Sequence, residues 1–194
     1  WVTEKDGKIF AGKRALQRTD KAVGQDFFSD LKSPLITPPN GKVFLHVFLD
    51  ASNPPKSVML QFNTGEWSQR AVWGDLDAIA FGKKDTNERK RLGDLPKTGE
   101  WVKLEFAASQ LGFKAGDKIK GLAFTLFGGT VTWDKIGITG ETNPSKDPNE
   151  SLAVWLKENQ GKVLTTVPDD VKRLFRSVKP EDRKPEETQR LREY

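Results

Sequence analysis

Lys56 to Trp73 reads KSVMLQFNTGEWSQRAVW, and this stretch decides the fold. Val58, Leu60 and Phe62 alternate with Met59, Gln61 and Asn63, and side chains on a strand point to opposite faces with period two. Asn63-Thr64-Gly65 is turn chemistry, since Asn tolerates and Gly favours the positive φ of a short hairpin loop. Trp67 opens the returning strand, which carries Arg70 and Trp73. The pair predicts an antiparallel hairpin with one face in a core and the other open to water. On the open face Gln61, Arg70 and an indole would combine a flat ring with planar donors, a combination suited to the C–H faces and hydroxyl pairs of a sugar.

Further strand-like runs lie on both sides. Lys8–Ala11, between Gly7 and Gly12, predicts a first strand with Trp1 packed nearby, and Ala22–Phe28 a second with Phe27 and Phe28 covering both faces. Pro34, Pro38, Pro39 and Gly41 then break the chain. In KVFLHVFLD (42–50), Val43, Leu45, Val47 and Leu49 share one face while Phe44, His46, Phe48 and Asp50 share the other. Both faces are mostly apolar, which predicts a central strand covered on each side. Gly82 to Asp94 is polar throughout and predicts an exposed loop with a basic end at Arg89, Lys90 and Arg91. Glu100–Phe106 alternates again, and Ala107–Leu111 predicts one helical turn that Gly112 ends. Lys118–Phe127 and Thr130–Thr139 predict two strands joined by a hairpin turn at Gly128-Gly129. About nine strand-like runs, short spacing and Gly/Pro punctuation together predict an all-β fold, an antiparallel β-sandwich.

From Asn149 the pattern changes to short helices. Asn149 predicts a cap for a helix carrying Leu152, Val154, Trp155 and Leu156, stopped by Gly161. Pro168–Val178 predicts a second helix with Val171, Leu174 and Phe175 on one side, and Pro185 suits the first position of a third. The expected domains are a β-sandwich over 1–142 and a helical extension or linker over 143–194. Such short helices need a partner surface, on the sandwich or on sequence beyond this chain.

Composition sets limits. The 194 residues carry a formal net charge of +5, with 36% hydrophobic and 30% charged side chains. Residues 1–142 hold 21 Lys and Arg against 17 Asp and Glu, so neither part is basic enough to argue for nucleic acid. No apolar run approaches the roughly 18 residues of a membrane span. The chain opens at Trp1 without methionine, as expected of a piece cut from a longer protein. Cysteine is absent, which excludes disulfides, thiolate metal sites, a cysteine nucleophile and C-x-x-C-H haem attachment within these residues.

MLQFNTGEWSQRAVWGD (59–75), GDLPKTGEWVKLEF (93–106), KIKGLAFTLFGGTVTWDKIGI (118–138) and the tail from Asp169 carry a resemblance. Together they resemble the middle region of planctomycetal surface-associated proteins that also carry a cytochrome c domain. That resemblance implies a jelly-roll module of the laminin-G-like or galactose-binding-like kind, in an exported multidomain protein at the cell surface or beyond. Any haem would then lie elsewhere in the longer parent, and none in this fragment. The segment Trp133-Asp134-Lys135-Ile136 after a GEWVKLEF-type strand is also similar to carbohydrate-binding jelly rolls.

Catalysis has little to stand on. His46 is the single histidine, no serine sits in a nucleophile-elbow context, and Glu66, Asp75, Asp77, Glu100 and Glu105 are acids that any β-protein carries. The expected function is therefore a non-enzymatic glycan-binding module. Trp67 or Trp73 would stack on the sugar, with hydrogen bonds from Gln61, Arg70 and His46. Two readings stay open for the Asp residues: a structural Ca²⁺, with Asp134 as last-strand ligand and Asp26, Asp20 or Asp30 as early partners, or hydrogen-bonded carboxylates at the end of the sandwich. The partners expected are a polysaccharide and other domains of the parent chain. The alternative is a structural module with no soluble ligand, and a glycan-cleaving enzyme comes third.

Overall fold

The computed structural model describes residues 1–5, 7–141, 143–146, 151–159 and 167–192. The chain divides into two compact units, Trp1–Glu141 and Thr142–Tyr194. The first is a β-sandwich of the jelly-roll class, and the second carries short helices.

Nine strands run β1 (Leu16–Phe28), β2 (Leu35–Ile36), β3 (Lys42–Leu49), β4 (Ser57–Asn63), β5 (Trp67–Gly74), β6 (Lys90–Gly93), β7 (Trp101–Ala107), β8 (Lys118–Ile119) and β9 (Gly121–Thr139) among the described residues. The organising strand is β9. Its first half pairs with β4, with Leu126 opposite Val58, and its second half pairs with β3, with Trp133 opposite Val47. β1 follows it along the other side through both halves. One layer is therefore β6-β5-β4-β9-β1 and the other β7-β3-β9-β1, with β9 and β1 shared. All pairings in these layers are antiparallel except β5 with β6, which is parallel.

The hairpin expected at Gly128-Gly129 is instead a corner inside one continuous strand. Both glycines have positive φ, +66° and +76°, where a side chain is strained. A Cβ on Gly129 would lie 2.4 Å from the Pro55 nitrogen and 2.7 Å from the Asn53 carbonyl oxygen. Only a residue without a side chain lets the 53–55 backbone approach so closely. The inward set passes at this corner from Leu122, Phe124 and Leu126 to Val131 and Trp133, so both halves face the same core. Phe124 and Trp133 meet there at 5.8 Å between ring centroids. Across the layers, Phe106 of β7 meets Phe62 of β4 at 6.2 Å and Trp73 of β5 at 6.0 Å.

Other expectations shift for similar reasons. β1 is 13 residues long rather than starting at Ala22, and its register slips between Asp20 and Val23 where it follows the corner of β9. Lys8–Ala11 forms no strand. It lies as a strap, with the Phe10 and Ala11 amides donating to Asp134 Oδ2 at 2.8 and 2.9 Å. The polar run 82–94 ends in β6.

In the second unit, α1 (Leu152–Asn159), α2 (Asp169–Ser177) and α3 (Pro185–Arg192) match the three expected helices. The cap expected at Asn149 and the stop at Gly161 lie outside the described residues; the Ser151 hydroxyl accepts from the Val154 amide at the start of α1. Val167, Val171, Leu174 and Leu191 form a small core of their own.

Gly129→Ala should lower stability by about 3 kcal/mol or more, because strain and collision with backbone add. Gly116→Ala has φ +92° but open space around it, and should cost only about 1–2 kcal/mol. Urea denaturation of the two variants separates these costs. The loop at the corner is also held by Asp50, whose Oδ1 accepts from the Ser52 hydroxyl and from the Ser52 and Asn53 amides. The Ser52 bonds hold this carboxyl below its ordinary pKa. Its contribution is complete above the usual carboxylate range and is lost as pH falls through the depressed folded value. Asp50→Asn should accordingly flatten the acid limb of a stability-versus-pH curve.

Candidate functional site

The hairpin folds as its alternation requires, but its outer face is partly covered as well. Val58, Leu60 and Phe62 enter the main core, while Met59 packs outward with Val72, Leu76 and Ile79. The loop after β5 thus roofs part of the outer layer. Gln61, expected on an open platform, is 3% exposed and fully engaged. Its Nε2 donates to Thr125 Oγ1 at 2.7 Å and Gln25 Oε1 at 3.1 Å, and its Oε1 accepts from Arg70 Nε at 2.7 Å.

Arg70 is half-buried beside it. Nη1 donates to the Glu88 carbonyl at 2.9 Å and Nη2 to the Trp67 carbonyl at 2.6 Å. Burial lowers its pKa, opposed by the charge of Glu88, and a guanidinium keeps its proton regardless. Three of its five N–H groups are thus committed and two remain. Gln61 fixes the fork, and Arg70 can still donate.

The two indoles part company. Trp73 is 6% exposed and packs against Phe106, so the stacking role expected of it has no open ring face. Trp67 lies on the other side of β5. A bulge opposite Phe62 and Asn63 absorbs Ser68 and carries Trp67 to the face of Arg70. There it meets Phe27 edge to face, at 6.1 Å and 88°. Phe27 is 64% exposed, on the same side of β1 as Gln25. The structure therefore joins Trp67, Arg70 and Gln61 with Gln25, Thr125 and Phe27, three partners the sequence reading missed. Phe27 and Gln25 alternate on β1, but their place opposite Ala123 and Thr125 depends on a pairing about a hundred residues apart in sequence.

His46 belongs to the opposite layer and is nearly buried. Phe10 stacks on its ring at 3.8 Å and 15°, and Nδ1 lies 3.4 Å from the Lys135 carbonyl oxygen. The strap thus occupies the face of His46 expected to serve a ligand. The carboxylates expected to hold Ca²⁺ are engaged as well. Asp134 takes the Phe10 and Ala11 amides on Oδ2 and the Lys135 amide on Oδ1. Asp26 Oδ1 pairs with Arg18 Nη1 at 3.1 Å. No group of three or more His, Cys, Asp or Glu able to hold a metal occurs among the described residues.

No family model matches the chain, and no curated protein does. Membership in the planctomycetal family therefore gains no support from either comparison. Among solved structures, the chain is similar to a carbohydrate-binding module, CBM28, described as specific for non-crystalline cellulose. The TM-score is 0.41 at 13% identity, covering 69% of this chain and 78% of that one. It is also similar to the CBM22-1 xylan-binding domain of Paenibacillus barcinonensis Xyn10C, with TM-score 0.32 at 15% identity over 71% and 76% of the two chains. A structure with a xylogluco-oligosaccharide matches at TM-score 0.33 and 11% identity, over 66% of this chain and 30% of that one. At such scores the likeness assigns no ligand, and the fold stands on the strand pairing described above.

Asp134→Ala removes the acceptor of two strap amides. Hydrogen exchange at Phe10 and Ala11 should then speed up by about tenfold or more, while the Val2 and Ala15 amides, paired with each other's carbonyls, keep their protection.

Proposed function

We propose that the sandwich is a non-catalytic glycan-binding module whose site is the outer face at Trp67, Phe27 and Arg70. The observation that carries this reading is the edge-to-face pair of half-buried Trp67 and exposed Phe27 beside a guanidinium with two uncommitted N–H groups. Flat apolar rings suit the C–H faces of a pyranose, and a rigid fork suits a pair of adjacent hydroxyls. Gln61 acts as a positioning residue beneath Arg70, and Trp73 supports the face from the core side. The site is shallow, so few ligand groups are fully desolvated, and micromolar or weaker affinity is the expected scale. Export of a multidomain parent, implied by the sequence resemblance, belongs to the same proposal. No helix among the described residues is long and apolar enough to cross a membrane.

Affinity electrophoresis against soluble xylan, β-glucan, galactan and hydroxyethylcellulose tests it. Retardation by at least one polysaccharide should fall by about tenfold or more in Trp67→Ala and in Phe27→Ala. Trp73→Phe should keep the retardation while lowering stability. Retardation unchanged in both ring variants would remove this face from consideration.

A further inference from the structure

A cavity of about 380 Å³ opens at the β1 edge of the sandwich, between the two layers, and no role has yet been given to it. Its position follows from the corner in β9. Because β1 accompanies both halves of β9, its two arms face each other, and Arg18 of one arm donates to the Gln25 carbonyl and Asp26 carboxylate of the other. Those ion pairs close one end of the gap. At the other end Leu16 and Phe28 stand apart over Phe124 and Trp133, and the gap stays open.

The lining is apolar at the bottom and charged at the rim. Phe124 and Trp133 form an aromatic floor, with Phe28 at 6.4 Å from Phe124. Trp1, 77% exposed, stands at the mouth with the Arg14 guanidinium 5.7 Å from its ring centroid. Lys135 reaches the rim because β9 bulges between Asp134 and Gly137, with Lys135 itself at φ +43°. A bulge of this kind re-aims a side chain that a regular strand would point elsewhere.

The charges at the rim are unequal in availability. Asp26 is taken by Arg18, and Asp134 by three backbone amides. Arg14 and Lys135 make no ion pair with a carboxylate among the described residues; each contacts only an aromatic ring, Lys135 with its Nζ 5.9 Å from Phe10. A half-open cavity of this volume, with aromatic walls and two uncommitted cations at its mouth, falls in the size range of ordinary small-molecule pockets, about 300–1,000 Å³.

We propose that this mouth is a second binding site, for a planar aryl group carrying a carboxylate, with the ring against the exposed Phe28 above the covered Phe124 and Trp133, and the anion between Arg14 and Lys135. It shares Phe27 in its lining with the proposed glycan face but uses none of the Trp67 and Arg70 chemistry.

Titration of tryptophan fluorescence and calorimetry with trans-cinnamate test it, with cinnamyl alcohol as the uncharged isostere. Cinnamate should bind at about millimolar or tighter, and the alcohol about tenfold more weakly. Arg14→Gln combined with Lys135→Gln should reduce the affinity for cinnamate to that for the alcohol, and raised salt should do the same in part. Both positions are exposed, so the fold should persist, and Phe28→Ala should weaken both probes together. Trp67→Ala should leave cinnamate binding unchanged, which keeps failure of this site distinct from failure of the glycan face. Equal affinity for acid and alcohol would overturn the proposal. So would full affinity in the double variant, or absence of binding at about 10 mM.

Discussion

The contact on which the molecule depends is the approach of the Asn53–Pro55 backbone to Gly129. A sandwich needs two layers whose apolar faces meet, and here one strand belongs to both. That requires β9 to turn sharply while keeping hydrogen-bonded partners on each side, and the turn is filled by another segment of backbone rather than by side chains. The Asp50 N–H donates to the Thr130 carbonyl, and the Thr130 N–H to the Asn53 carbonyl, so the corner is hydrogen-bonded through the approaching loop. The backbone groups that a sharp corner would leave unpaired are thereby satisfied. Once β9 turns, β1 must turn with it, and the Arg18 ion pairs and the open mouth of the sandwich follow from that single geometry.

The outer face at Gln61 obeys a different constraint. A primary amide in a nearly dry place must have its bonds made, since each unmade one costs on the order of 1–3 kcal/mol. Gln25, Thr125 and Arg70 supply those bonds, so three strands are tied through one side chain. Arg70 in turn relies on the Glu88 carbonyl, and the loop carrying Glu88 is anchored by Leu76 and Ile79 against Met59 and Val72. Burying each of those apolar side chains contributes roughly 1.5–3 kcal/mol. The polar row is thus rigid because an apolar cluster a few residues away holds its roof.

Much of the fold was legible because period-two alternation and turn residues are local signals. KVFLHVFL and the hairpin from Ser57 to Gly74 appear where their patterns put them, and Pro185 begins α3 as its missing N–H allows. Gly128-Gly129 was misread because a glycine pair with positive φ satisfies a hairpin and a strand corner equally well. What distinguishes them is the Pro54-Pro55 backbone, more than seventy residues away. The candidate face was half legible for the same reason. Trp67, Arg70 and Gln61 were named from one hairpin, but Trp67 and Arg70 share a side only through a bulge at Ser68. Trp73 was assigned to the ligand because indoles look alike in sequence, whether they stack on Phe106 or on a sugar.

That ambiguity of aromatic residues is resolved by what each ring would lose on exposure. Trp73, Trp133, Phe62 and Phe106 lie within the shared core, and truncating any of them would leave a cavity between the layers. Phe27 is different. It projects from an edge strand, where exposed apolar surface invites unwanted pairing, and the residues pointing between the layers from the same strand include Arg18, Asp20 and Asp26. Inward charges and the irregularity at Lys21-Ala22 are devices that keep such an edge from recruiting another strand. A phenylalanine retained 64% exposed beside those safeguards contributes little to the core, so its ring is free for a partner in solution. Its contact with Trp67 at 88° holds that ring in place, so a ligand of the proposed face would meet a surface already ordered and would lose less entropy on binding.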